Sequence, residues 1–174
     1  MEQTEKLIDA HGIRPASIAD AAGINAVYNP FIRESAATFE TEEYDVEVRR
    51  RWIGERRQNP RCAVVVAESA GGRILGFASA SPFDPRGGYE TSVKVSVFAA
   101  PKGQGKGLGR GLYTALFEAL LDADIHRAYA LIVPPNPASV ALHEGFGFAH
   151  IATLSEVGRK FGRFHDVMWF EKRL

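Results

Sequence analysis

Four glycines at alternate positions, Gly103, Gly105, Gly107 and Gly109, separate an alternating apolar segment, Tyr89 to Ala99, from an amphipathic stretch that ends near Ala123. Glycines are poor choices inside a regular helix, each costing about 1 kcal/mol relative to alanine. At a helix N-terminus they let the backbone come close to a ligand, and free N–H groups and the helix dipole favour an anion there. Lys102, Lys106 and Arg110 add positive charge around the turn. A phosphate or pyrophosphate is the expected guest. The spacing excludes two familiar phosphate loops. A dinucleotide fingerprint needs Gly where Leu108 or Arg110 stands, and a Walker A loop needs Ser or Thr where Gly107 follows Lys106. What is present is Q-x-x-G-x-G at Gln104, Gly107 and Gly109.

The elements that must position this turn follow from pattern and punctuation. Ile13-Arg14-Pro15 predicts a short first strand. Ser17, with Asp20 in capping-box position, opens a helix from Ile18 to about Tyr28 that stops at Asn29-Pro30. Asp45 opens a second helix, with Val48, Trp52 and Ile53 as its apolar stripe, which ends at Asn59-Pro60. Ala63 to Glu68 and Ile74 to Ser79, joined through Ala70-Gly71-Gly72, form a hairpin. A long strand, Tyr89 to Ala99, leads into the glycine turn and its helix. A strand at Tyr129 to Val133, a short helix at Ala138 to Glu144 and two final strands complete the order β-α-α-β-β-β-α-β-α-β-β. Three consecutive strands interrupt the α/β alternation, so the sheet is expected to be mixed, not purely parallel.

The chain has 174 residues, 45% of them hydrophobic, which suits one packed domain spanning residues 1–174 behind a loose lead at 1–11. Lysine plus arginine equals aspartate plus glutamate, 21 each, so no net field recommends nucleic acid or an anionic membrane as partner. No apolar run approaches the ~20 residues of a membrane span, the N-terminus is not a signal peptide, and the lone Cys62 fits a reducing compartment. A cytoplasmic location is expected, with Cys62 a buried residue at a strand start.

With these residues in place, the sequence resembles the GNAT superfamily of N-acetyltransferases from Ile13 to Phe170, and within it the phosphinothricin and methionine-sulfoximine acetyltransferases. The resemblance rests on the Gln104–Gly109 motif together with Asn29, Phe31-Ile32, Thr38 to Glu42, Pro82, Arg86, Tyr89, Leu112-Tyr113, Asn136 to Ser139, His143 and His165-Asp166-Val167. It implies a mixed, mostly antiparallel sheet flanked by helices, with a splayed central strand pair that takes the pantetheine arm of acetyl-CoA. It also implies transfer of an acetyl group to the amine of a small amino-acid-like molecule.

Carried over residue by residue, Ser96, Val97 and Phe98 line the arm, the Val97 N–H polarises the acetyl carbonyl as an oxyanion hole does, and Gln104, Gly105, Lys106, Gly107, Leu108 and Gly109 hold the pyrophosphate. Asn136 and Ser139 contact the cofactor or simply cap a helix. His143, where many members carry a tyrosine acid, either moves a proton or is a satisfied structural histidine. The loop with Phe39 and Thr41 and the loop from Phe83 to Tyr89 form the acceptor pocket, with Phe39 and Tyr89 its walls or part of the core. Arg86 grips a substrate carboxylate or is solvated. No metal is implied.

One position departs from the family pattern. Three residues before Val97 the resembled enzymes carry a glutamate base, and here Lys94 stands, protonated at neutral pH at its ordinary pKa of ~10.4. Glu90, four residues earlier on the predicted strand and about 13 Å away, is no simple replacement. Either a water relay, His143 or the His165-Asp166 pair deprotonates the amine, or the usual substrate is not handled, and Lys94 is a candidate partner for a substrate carboxylate. Lys94 also leaves room for a catalytically silent acetyl-CoA-binding module. Lys94 and Arg86 argue against a polyamine or aminoglycoside acceptor, and a protein N-terminus is a further alternative. The family is usually dimeric, and Phe161 to Phe170 could furnish an interface.

Overall fold

A computed structural model describes residues 12–101 and 107–174. Seven strands form one sheet: β1 (Ile13–Pro15), β2 (Ala63–Glu68), β3 (Ile74–Pro82), β4 (Ser92–Ala99), β5 (Arg127–Ile132), β6 (Ala149–Lys160) and β7 (Arg163–Arg173). Four helices flank it: α1 (Ala21–Glu34), α2 (Val46–Gln58), α3 (Leu108–Glu118) and α4 (Pro137–Gly145). The strand order is β1-β2-β3-β4-β5-β7-β6. Every adjacent pair is antiparallel except β4 and β5, which are parallel. The expected mixed α/β sheet and the order of its elements are both present.

The sheet is buried on two sides, and strand β2 shows why its sequence is an unbroken apolar run. Val65 and Ala67 pack with Leu108, Leu112 and Leu116 of α3, whereas Val64 and Val66 pack with Ile24 and Val27 of α1 and Ile53 of α2. Alternate residues of each strand therefore address different layers. On β4, Val93, Val95 and Val97 join the α3 layer, and Phe98 joins the α1–α2 layer.

Four local expectations are corrected. Helix α1 does not stop before Pro30 but continues to Glu34 with the proline inside it. The bond that Pro30 removes is offset locally: the Asn29 side chain and the Tyr44 backbone hydrogen-bond each other in both directions, at 3.1 and 3.3 Å, and Ile32 is buried. The buried stripe of α2 is led by Arg49 and Ile53, not by Val48. Strand β4 begins only at Ser92, because Gly87–Tyr89 forms a 3-10 turn; Glu90 lies outside the strand and faces Arg61 at 3.6 Å. Helix α3 ends at Glu118, ahead of a run of turns. Cys62 is half-buried just before β2, and burial pushes its thiol pKa up.

Candidate active site

The parallel ladder between β4 and β5 lasts three residue pairs, Ser92 with Arg127, Val93 with Ala128 and Lys94 with Tyr129. Strand β4 nevertheless runs on to Ala99 and β5 to Ile132. Beyond Lys94 the two strands part, while β4 stays paired with β3 from Val93 through Ala99. The edge of β4 that would have met β5 therefore faces an opening instead of a neighbour strand. That opening is a cleft of about 560 Å³, with Val95 to Ala99 on one wall and Leu131 to Val133 on the other.

The ends of two helices meet the same cleft. Gly107 caps α3 in the left-handed region, at φ 76°, where a side chain is disfavoured. Leu108 is buried, and a Cβ on Gly109 would lie 3.1 Å from the Leu142 side chain, so glycine there lets α3 and α4 approach. Gly107, Leu108 and Gly109 all line the cleft. Gln104, Gly105 and Lys106 lie outside the described residues. From α4 come Asn136, Ser139 and His143. The Asn136 side chain accepts from the Ser139 N–H at 3.1 Å, so it caps α4 and borders the cleft at once.

His143 is buried and fully engaged. Its Nδ1 stands 2.7 Å from the Ser139 carbonyl and its Nε2 stands 2.8 Å from the Tyr113 hydroxyl. A carbonyl only accepts, so Nδ1 carries the hydrogen and Nε2 accepts from Tyr113. Burial holds the imidazole pKa below its ordinary value, partly countered by the bond to Ser139. The Tyr113 hydroxyl is pushed upward by burial, so that proton stays on oxygen. Among the described residues that line the cleft, His143 is the one histidine.

Of the other expected site residues, Lys94, Ser96 and Phe98 share one face of β4. The Ser96 hydroxyl is 3.0 Å from that of Ser79, and Phe98 packs against Phe31 and Phe77. Lys94 is exposed. Phe39 sits over Gly158 of β6 and edge-on to His165, where a Cβ on Gly158 would come within 2.2 Å of its ring. Thr41 is exposed nearby in sequence. Phe83 joins Tyr89, Tyr129 and Trp169 in one aromatic group. Arg86 lies over the Tyr89 ring and is held by Asp84 at both carboxylate oxygens, at 2.7 and 3.1 Å. His165 is buried against the Lys160 carbonyl, and Asp166 accepts from the Glu156 N–H; neither lines the cleft.

Three features escaped the sequence reading. The Tyr113 bond to His143 joins two helices. Lys160 is buried at the end of β6 and donates to the carbonyls of Ser35 and Thr38, at 2.9 and 2.7 Å, so it ties the β6–β7 hairpin to the loop after α1. Arg49 and Arg56 flank Trp52 on α2, with guanidinium carbons 4.7 and 4.1 Å from its ring. The last had a signal: residues 49, 52 and 56 share one helical face.

The acetyltransferase (GNAT) domain pattern matches residues 13–169. The chain belongs to the GNAT acetyltransferase family. It is 43% identical to the phosphinothricin N-acetyltransferase of Streptomyces coelicolor over 163 residues, which is 93% of this chain and 95% of that protein. It is 34% identical to the L-methionine sulfoximine/L-methionine sulfone acetyltransferase of Pseudomonas paraeruginosa over 162 residues, 93% and 94% of the two chains. The crystal structure of a GNAT superfamily phosphinothricin acetyltransferase from Sinorhizobium meliloti in complex with acetyl-CoA superposes with a TM-score of 0.89 at 27% identity, covering 95% of this chain and 89% of that one. This GNAT protein is accordingly an N-acetyltransferase that uses acetyl-CoA. The cleft fits that cosubstrate: it pairs an unladdered strand edge with a glycine-started helix, one suited to an amide-bearing arm and the other to a phosphate. No described helix is long and apolar enough to cross a membrane.

Proposed function

We propose that this acetyltransferase modifies the amine of a small amino-acid-like acceptor of the phosphinothricin or methionine-sulfoximine kind. The observation that carries the reading is the likeness, over nearly the whole chain, to two acetyltransferases named for such acceptors. Acetyl-CoA supplies the activated acetyl group. The β4 edge from Ser96 to Phe98 holds the cosubstrate's arm, and the Val97 N–H is the fixed donor for charge developing on the reacting carbonyl. Gly107, Leu108 and Gly109, with Gln104, Gly105 and Lys106, hold its phosphates at the positive end of α3. Asn136 and Ser139 close the α4 side.

His143 is the group assigned to carry the proton: neutral at rest, it takes at Nε2 the proton the amine loses and returns it to the departing sulfur. With Nδ1–H given to Ser139 and Nε2 taken by Tyr113, it acts only when one of those bonds opens. Phe39, Thr41, Phe83, Arg86, Tyr89 and Lys94 belong to the acceptor side in this reading. The protein acts as a single domain in the cytoplasm and as a homodimer. Support for a dimer is the row of exposed apolar residues on the β6–β7 hairpin, including Val157, Phe161 and Phe164, each more than half exposed.

The test is CoA release from acetyl-CoA with phosphinothricin, methionine sulfoximine and free amino acids between pH 6 and 10. Turnover on the sulfoximine class at neutral pH supports the reading and requires a base other than residue 94. Acetyl-CoA binding without turnover on any amine sinks it in favour of a silent binding module. Preference for a peptide N-terminus moves the acceptor to proteins.

A further inference from the structure

On the sheet face that carries Lys94, two cations, Arg56 and Lys94, stand without an ion pair among the described residues. Arg14, Arg33, Arg50, Arg61, Arg86 and Arg127 each have a carboxylate within 4.0 Å. Arg49, Arg56 and Lys94 have none among the described residues. Arg56 is held in place, not left loose: its Nε donates to the Ser81 hydroxyl at 3.0 Å, its Nη1 donates to the Trp52 carbonyl at 3.1 Å, and its guanidinium lies on the Trp52 ring. These contacts use neutral acceptors and leave Nη2 without a partner among the described residues.

Ser81 is the cross-strand partner of Lys94, so both side chains leave the same face of the sheet. Arg56 therefore reaches Ser81 from α2, and Lys94 leaves the neighbouring strand directly across from the same serine. The carboxylate that feels Lys94 is Asp84, and it is already gripped by Arg86. Burial disfavours the charge on Arg56, with Glu55 and the Cys62 and Tyr44 side chains only weakly countering it. A desolvated guanidinium without a paired anion costs stability that an incoming anion offsets. Lys94 lies three residues, about 10 Å, before Val97 along β4. A small acceptor together with the lysine side chain spans that distance.

We infer that Arg56, bonded to Ser81, and Lys94, across from that serine, form the subsite for an anionic oxyacid group of the amine acceptor. The inference rests on the amino-acid-like acceptor proposed above and assigns its anion to residues other than Arg86, whose guanidinium already holds a bidentate carboxylate. It also gives a function to the lysine that replaces the family's glutamate. At this position the protein trades a base for a counter-ion.

The test compares acceptors that differ only in charge: phosphinothricin or methionine sulfoximine against its α-amide, and amino acids against their amides. Wild type, Arg56→Gln, Arg56→Lys and Lys94→Gln are assayed with acetyl-CoA saturating, then with acceptor saturating. Removing one charge-assisted partner raises KM for the carboxylate acceptor about ten- to hundredfold. KM for the amide and for acetyl-CoA stays within about twofold, and Arg56→Lys recovers part of the loss. Damage to the fold alone would instead weaken amide and carboxylate alike, and that result overturns the inference, as does unchanged KM in both glutamine variants. A wild-type preference for amides or polyamines over carboxylates also overturns it, while leaving amine acetylation standing. Should wild type turn over no amine, the functional reading fails separately. The subsite is then judged by calorimetric titration of phosphinothricin into CoA-loaded protein: tight binding lost in Arg56→Gln supports it, and equal or absent binding refutes it.

Discussion

Replacing Tyr113 with phenylalanine isolates one hydrogen bond. The ring is fully buried and keeps its edge contacts with Phe117 and Phe146, which phenylalanine reproduces. What disappears is the donor 2.8 Å from His143 Nε2, leaving a buried acceptor without a partner. An orphaned buried polar group costs about 1–3 kcal/mol, and the missing oxygen leaves little cavity to add to this. At about 2–4 °C per kcal/mol for a chain of this size, a loss near 2 kcal/mol lowers Tm by about 4–8 °C at pH 7.5. The pH dependence has a fixed sign. In wild type the folded pKa of His143 lies below the unfolded one, so this histidine's contribution is complete above about 6.5. It falls as acid protonates the unfolded chain first, down to the folded pKa. In Tyr113→Phe the freed Nε2 accepts a proton more readily, its folded pKa rises, and the Tm gap to wild type narrows toward pH 5. Calorimetric melts of both proteins from pH 5 to 8 measure this. A Tm within about 1 °C of wild type at pH 7.5, or a gap that widens on acidification, refutes the assigned tautomer and its stabilising role.

Two further substitutions probe the acceptor loop. In Gly158→Ala the new Cβ would fall within 2.2 Å of the Phe39 ring, which must swing aside. Since a half-exposed ring can move, melting costs no more than about 1–2 kcal/mol, while KM for the acceptor rises several-fold and KM for acetyl-CoA does not. An unchanged acceptor KM removes Phe39 from the pocket. Lys160→Met cuts the bonds to the Ser35 and Thr38 carbonyls. It is expected to destabilise by about 1–3 kcal/mol and to raise acceptor KM, with Lys160→Arg intermediate; steady-state kinetics beside thermal melts separate the two effects.

What could be read from the sequence was whatever short-range chemistry decides. The glycine turn, the Asp45 cap that accepts from the Val48 N–H at 2.7 Å, and the β2–β3 hairpin all depend on residues close in the chain. The sites that escaped depend on distant partners, apart from Arg86, whose partner Asp84 is two positions away. Pro30 is a helix breaker by propensity, and only the Asn29–Tyr44 bonds explain why α1 passes through it. Arg86 looked available for a carboxylate because the local turn that delivers Asp84 to it has no sequence signature stronger than any acidic loop residue. Arg49 broke the apolar stripe of α2, and its place there is explained by the aromatic rings of Tyr28, Tyr44 and Trp52 around it. Lys160 gave no signal, since its acceptors are backbone carbonyls that any residue could supply.

The tie between Lys160 and the segment at Ser35 and Thr38 spans 125 and 122 positions of the chain. During synthesis the ribosome releases the loop after α1 early and the hairpin that fastens it near the end, at roughly 5–20 residues per second. For that interval the loop lacks its last anchor, although the glycine turn, both cleft walls and α4 have already been made. A product cut short before Lys160 lacks β7 as well, the strand that pairs with β5 along six residues and sets Phe170 into the core under α3. The order of translation therefore leaves the middle of the sheet, and not the loop alone, open until the last residues have been made.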